Sequence, residues 1–145
     1  MIRVVTDSAS DIPPYLAAEL GITVIPIRIN MGTRIYYDGA DIDRTDVYHR
    51  LTRSGILPTA EPPLLEEFQQ VYGRLLKSTE QILSIHISSK LNKTVQVAQE
   101  STQAFLGKNK LTVVDSRLVS WGLELLVTMA AEAAQIGSSV KKSCG

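Results

Sequence analysis

The chain has 145 residues, with 15 Lys and Arg against 15 Asp and Glu, and a formal net charge of zero, which argues against a broad electrostatic footprint for nucleic acid. A hydrophobic fraction of 44% and a charged fraction of 21% suit a packed core in one domain, or in one lobe of something larger. The single cysteine, Cys144, excludes an intrachain disulfide, and no apolar run reaches membrane-spanning length, so a cytoplasmic protein without a leader peptide is the expectation.

In chain order, residues 2–6 read as a buried strand, followed by the capping-rich cluster Thr6, Asp7, Ser8, Ala9, Ser10 and Asp11. Pro13 and Pro14 suit the first turn of a helix to Leu20, with Asp11 as its cap and Gly21 as its terminator. Residues 22–31 form a second strand interrupted at Pro26, which places it near an edge or a bend because proline lacks an N–H. A short strand over 33–37 ends in an Asp38-Gly39 turn. Asp43 or Thr45 caps a helix through Leu51, closed by Gly55. Residues 58–63 read as a rigid extended connector, since residues before proline avoid helix. A helix follows over 64–76 with the apolar stripe Leu65, Phe68, Tyr72, Leu75 and Leu76.

The stretch that organises the chain comes next. Ile82, Leu83, Ser84, Ile85, His86 and Ile87 read as a buried strand, and Ser88 to Asn92 as a polar turn. Leu91, Val95 and Ala98 then recur at helical spacing, with Asn92 as the N-cap and Gly107 as the stop. Residues 111–114 form another strand, Asp115-Ser116 its carboxyl-end turn, and 118–136 a last helix ended by Gly137, with 138–145 a frayed tail.

Strands alternating with helices imply an α/β fold with a mostly parallel sheet and helices on both faces. Ligands of such sheets sit in the crevice at the carboxyl ends of the strands, where helix N-termini favour anions. Four polar turns, at 6–10, 58–61, 88–92 and 115–116, are therefore expected to converge on one edge. Catalytic machinery is thin. His49 falls at a surface position, and His86, alternating with Ile85 and Ile87, reads as a structural histidine rather than a base. No nucleophile elbow, phosphate-binding glycine pattern or metal-spaced Cys/His cluster appears, and the aspartates read as caps. Hydroxyls and backbone donors beside apolar helices suit holding a small acid better than transforming one.

Four stretches together resemble the N-terminal lobe of the DegV family. They are Val5-Thr6-Asp7-Ser8-Ala9-Ser10-Asp11-Ile12-Pro13, Thr59-Ala60-Glu61-Pro62, Ile87-Ser88-Ser89-Lys90-Leu91-Asn92-Lys93-Thr94, and Val113-Val114-Asp115-Ser116 with Ser120-Trp121-Gly122. Their order and spacing make the match specific. The resemblance implies a cytosolic bacterial protein that is not an enzyme, needs no cofactor or metal, and binds one long-chain fatty acid. Some members present that acid to a fatty acid kinase, which makes such a kinase the implied protein partner. By resemblance Thr59 is the first carboxylate contact and Asn92 the second, with Ser88, Ser89, Lys93 and Thr94 completing the site.

Two departures from the family pattern bear on this. Thr-Ser is Thr59-Ala60 here, and Ser-Gly-Thr is Asn92-Lys93-Thr94. Asn92 keeps an amide donor, while Lys93 either pairs with a carboxylate or obstructs it. The chain also matches only the first lobe of the family: residues 1–137 are expected to form that lobe, with the second lobe absent. An isolated lobe exposes apolar surface, which points to a homo-oligomer. Two other readings stay open. One is a small phosphotransfer-type enzyme or subunit using the Asp7/Ser8 and Asp115/Ser116 turns on a phosphorylated substrate. The other is a half-size relative that has lost the ligand.

Overall fold

The computed structural model describes residues 1–107 and 110–143, the side chains of 138–143 excepted; Cys144 lies outside the described residues. The elements in order are β1 (Ile2–Asp7), α1 (Pro14–Leu20), β2 (Thr23–Ile25), β3 (Arg28–Met31), β4 (Arg34–Tyr37), α2 (Arg44–Ser54), β5 (Thr59–Glu61), α3 (Leu65–Leu75), β6 (Gln81–His86), α4 (Thr94–Ser101), β7 (Lys110–Asp115) and α5 (Trp121–Ser143). One-turn 3-10 helices follow β1 (Ser8–Ser10) and α4 (Thr102–Phe105).

Side-chain alternation along β1 sets up the layers. Successive strand residues point to opposite faces. Val4 joins Ile12, Ala17, Ile85, Leu123 and Val127 beneath α1 and α5. Val5 joins Phe68, Tyr72, Ile82 and Ala98 beneath α3 and α4. Both faces are thus covered, as a parallel sheet requires. The four strands run in the order β2-β1-β6-β7, all parallel. Phe68 and Tyr72, one turn apart on α3, are fully buried and tilt against each other with ring centroids 5.7 Å apart. Burying each such side chain stabilises the fold by about 1.5–3 kcal/mol.

Pro26 does more than kink a strand. It separates β2, the edge of the parallel sheet, from β3, the centre of a second, antiparallel sheet ordered β4-β3-β5. The connector over 58–63 supplies β5, whose Thr59 and Ala60 lie opposite Asn30 and Ile29. An extended, proline-flanked segment is ready to pair wherever a free strand edge is close, and β3 offers one. So 58–61 is not a fourth carboxyl-end turn but an edge strand of this small sheet.

Three further expectations are corrected. Asp11 does not cap α1: its backbone is left-handed at φ 53°, Pro13 takes the N-cap place, and the Asp11 carboxylate pairs with Arg44 at 2.9 Å instead. Leu91 lies in the turn before α4, exposed to solvent, rather than on the helix's apolar stripe. The last helix does not end at Gly137 but continues to Ser143, because glycine tolerates helical φ and ψ at a modest cost. Gly21 and Gly55 do end α1 and α2, both at positive φ, and Asp43 caps α2 in a capping box with Asp46.

Candidate functional site

The carboxyl ends of β1, β6 and β7 lie side by side, and their turns are laced together by polar contacts. Asp7 ends β1. One carboxylate oxygen accepts from the Ala9 amide at 2.9 Å and so caps the turn over Ser8–Ser10. The other accepts from the Ile87 amide at 2.9 Å and from His86 Nδ1 at 3.0 Å, across the strand boundary. The Ser88 amide donates to the Leu118 carbonyl at 3.0 Å, and the Ser120 amide to the Ala9 carbonyl at 2.8 Å. Ser120 Oγ donates to Asp11 at 2.8 Å, and the Ile27 amide to Ser8 Oγ at 2.9 Å. The start of α5 and the β2–β3 joint are therefore tied to the same edge.

Two carboxyls here are shifted in opposite directions. The Ser89 hydroxyl donates to Asp115 at 2.5 Å, and the amides of Ser89 and Arg117 add to it. These donors hold the Asp115 carboxyl below the usual carboxylate range. Burial pushes Asp38 up, against the Ser8 hydroxyl, which lowers it, and with the negative charge of Asp11, which raises it further.

The residues singled out from the sequence differ in exposure. Thr59, Ser89 and Lys93 are exposed, Asn92 is half-buried, and Ser88 and Thr94 are buried. Asn92 bridges the two sheets. Its Nδ2 donates to the carbonyl of Ala60, the neighbour of Thr59, at 3.4 Å. Its Oδ1 accepts from the Thr94 amide at 2.9 Å and from the Thr94 hydroxyl at 2.6 Å. Asn92 thus caps α4 although Lys93 occupies the N-cap place, at φ −83°, a conformation that does not need glycine. The Thr94 hydroxyl is turned inward to Asn92, and the Ser89 hydroxyl is taken by Asp115. The Ser88 hydroxyl accepts from the Lys90 amide at 3.3 Å and keeps its own proton to donate.

Sequence reasoning missed two residues. Arg28 pairs in register with Glu61, so it shares a sheet face with Asn30 and Thr59. It is held by Glu61 at 3.5 Å and by the Pro62 carbonyl at 2.8 Å. Nothing in the sequence signals this, because it depends on the β3–β5 register. The second is Asp7, read as a cap and found to be the junction of two turns.

His86 is a structural histidine, as expected from its place in the strand. It is fully buried, its ring stands edge-on to Phe68, and its Nε2 lies 2.6 Å from Ser84 Oγ. Asp7, His86 and Ser84 stand in the order of a hydrolase triad. All three are closed to solvent beneath α3, and Tyr72 donates to the Ser84 hydroxyl at 2.7 Å. A serine so enclosed meets no substrate. Burial of Asp7 likewise removes it from any phosphorylated ligand. Among the described residues no group of three His, Cys, Asp or Glu side chains could hold a metal ion, and no helix is long and apolar enough to cross a membrane.

Two apolar surfaces border this edge. A cleft of about 570 Å³ lies between α1 and the 38–40 turn, lined by Ile12, Pro13, Ile22 and Pro26 together with Ser8 and Asp38. The outer side of α5 carries exposed Trp121, Leu125 and Met129.

A family model described as "Uncharacterised protein, DegV family" matches residues 1–143. A DegV domain-containing protein of Deinococcus radiodurans is 36% identical over 139 residues, which cover 96% of this chain and 49% of the relative. Another, of Caldanaerobacter subterraneus, is 39% identical over 138 residues, covering 95% and 49%. The chain thus spans about half the length of the curated relatives it matches. Among solved structures, a fatty-acid-binding DegV family protein of Thermus thermophilus superposes with a TM-score of 0.86 at 39% identity, over 94% of this chain and 48% of that one. DegV of Bacillus subtilis, described as a fatty acid binding protein, superposes with a TM-score of 0.88 at 27% identity, over 95% and 49%.

Proposed function

This chain belongs to the DegV family, and from that premise we propose that it binds one long-chain fatty acid without altering it chemically. The carboxylate sits where β5 meets the start of α4, on Thr59 and Asn92. Ser88, Ser89, Lys93 and Thr94 shape that turn. The observation that carries this reading is the Asn92–Ala60 contact, which brings the second sheet against the carboxyl edge of the first beside Thr59. Val95 and Gln96 are in the first turn of α4, whose amides have no carbonyl one turn back and favour an anion. The 39%-identical Thermus protein binds fatty acid on the same fold. Presentation of the bound acid to a fatty acid kinase extends the same proposal.

The test is native mass spectrometry of the purified protein with palmitate, which reports ligand mass and stoichiometry together. Thr59→Val is expected to weaken binding by about tenfold rather than abolish it, since one hydrogen bond to an ionised group is worth near 1.5–3 kcal/mol. The alkyl chain supplies the greater part of the affinity, at about 0.8 kcal/mol per CH₂. Binding unchanged after Thr59→Val and Asn92→Ala together, in protein that melts as a folded domain, would place the carboxylate elsewhere. Absence of any bound acid would favour a half-size relative that has lost the ligand.

A further inference from the structure

We infer that Asp7 is a positioning residue for the fatty-acid edge, a clamp between the 8–10 and 87–92 turns that is held in place by a buried hydrogen-bonded chain of His86, Ser84 and Tyr72. This rests on the fatty-acid reading for its ligand, but its geometry stands independently.

Asp7, His86, Ser84 and Tyr72 are all buried, so each polar atom needs a protein partner. The Asp7 carboxylate accepts from His86 Nδ1–H at 3.0 Å. His86 Nε2 lies 2.6 Å from Ser84 Oγ, and Tyr72 Oη lies 2.7 Å from the same hydroxyl. The Ser101 hydroxyl is a second partner of Tyr72, so the outer end of the chain is satisfied in either direction. The inner end is fixed: the carboxylate, which takes two backbone amides and His86 Nδ1–H, is the sink.

What the sink holds is the ligand edge. The Ala9 amide begins the turn that carries Ser8, and the Ile87 amide immediately precedes Ser88. The two amides lie just past the ends of different strands, β1 and β6, 78 positions apart in the sequence. A carboxylate is the one side chain with two acceptor oxygens able to hold both. The clamp therefore sets the spacing between the β1 turn and the turn that presents Ser88 and Asn92.

The experiment uses the full chain labelled with ¹⁵N. In the wild type, long-range imidazole spectra are expected to show a proton on His86 Nδ1; a ring protonated at Nε2 alone would overturn the contact with Asp7. Asp7→Asn offers one acceptor atom in place of two. Whichever way its amide turns, the Ala9 or the Ile87 N–H loses its partner, and hydrogen exchange at that amide should quicken by at least about tenfold, with the Kd for palmitate rising by about tenfold. Unchanged exchange at both amides would sink the clamp. Ile82→Val, a core change on β6, the neighbouring strand that carries Ser84 and His86, serves as the control for general destabilisation: it should leave tautomer and Kd in place, and an equal loss of affinity there would reduce Asp7 to an ordinary structural residue. Should Asp7→Asn fail to fold, the wild type still tests the clamp: the Ala9 and Ile87 amides should exchange as slowly as the buried β1–β6 ladder, and rapid exchange at either would overturn it. If the wild type takes up no palmitate, the fatty-acid reading fails alone, and the tautomer and exchange measurements still decide the clamp.

Discussion

Asp115 and Asp38 give this edge opposite responses to acid. Asp115 is held below its ordinary range by the Ser89 hydroxyl first and then by two backbone amides. Its contribution to stability is present above the unfolded carboxyl value of about 3.9 and is lost as pH falls through the lower folded value. Asp115→Asn should therefore lower the Tm at pH 7, and the gap to the wild type should narrow as the pH falls below the unfolded carboxyl value; a gap constant with pH would remove the carboxylate from the explanation. Asp38 has the reverse sign. Burial raises it, so its ionised form opposes folding at neutral pH and that opposition disappears as it protonates. Asp38→Asn should raise the Tm at pH 7 and change nothing near pH 3, if the amide keeps the Ser8 contact. Lys93 carries a third test at this scale. Its backbone needs no glycine, so Lys93→Gly alters little beyond charge and bulk. Weaker palmitate binding assigns it to the carboxylate, and tighter binding makes it an obstruction.

At the scale of elements, α4 depends on a side chain that lies outside it. Asn92 accepts from the Thr94 amide two residues on, a local contact that the Asn-x-Thr spacing already suggests. Asn92→Ala should cost about 1 kcal/mol of stability by chemical denaturation, and Asn92→Ser, which keeps a capping oxygen, only a few tenths. Asn92→Ala also deletes the Nδ2 donor to Ala60, so it should loosen β5 from the edge. Phe68 anchors α3 on the sheet and seals the Asp7–His86–Ser84 chain from water. Phe68→Ala should destabilise by about 3–5 kcal/mol through the cavity it leaves. A loss under 1 kcal/mol would mean that α3 is not the lid of that chain. Most elements were legible because each is announced locally. Val4-Val5, Ile82 to Ile87 and Val113-Val114 read as buried strands, and Gly21 and Gly55 mark helix ends at positive φ. Segment 58–63 was not, since an extended connector and an edge strand share one backbone conformation and differ only in whether a partner lies alongside.

At the scale of the whole molecule, the described residues leave one side of α5 uncovered. Trp121, Leu125 and Met129 recur every four residues on α5 and are 82%, 62% and 58% exposed, with Leu118 and Val119 beside them. The opposite face of the same helix, Leu123, Val127 and Ala131, is buried. A helix apolar on both faces is built to be covered on both. Among the described residues nothing covers this side. Sedimentation of the isolated chain at micromolar concentration is expected to give a species larger than a monomer, and Leu125→Glu with Met129→Glu is expected to return it to one. A clean monomer for the wild type would count against it. The sequence by itself determined the class of fold, most of the elements in their order and the family, because propensity, hydrophobic period and turn chemistry act over a few residues. It also placed His86 as structural, from its alternation with two isoleucines. Only the tertiary structure decided that Pro26 divides two sheets, that β5 brings Thr59 beside Asn92, and that Asp7 joins two turns. These depend on strand register and on contacts between residues 32 and 80 positions apart, which no local pattern encodes.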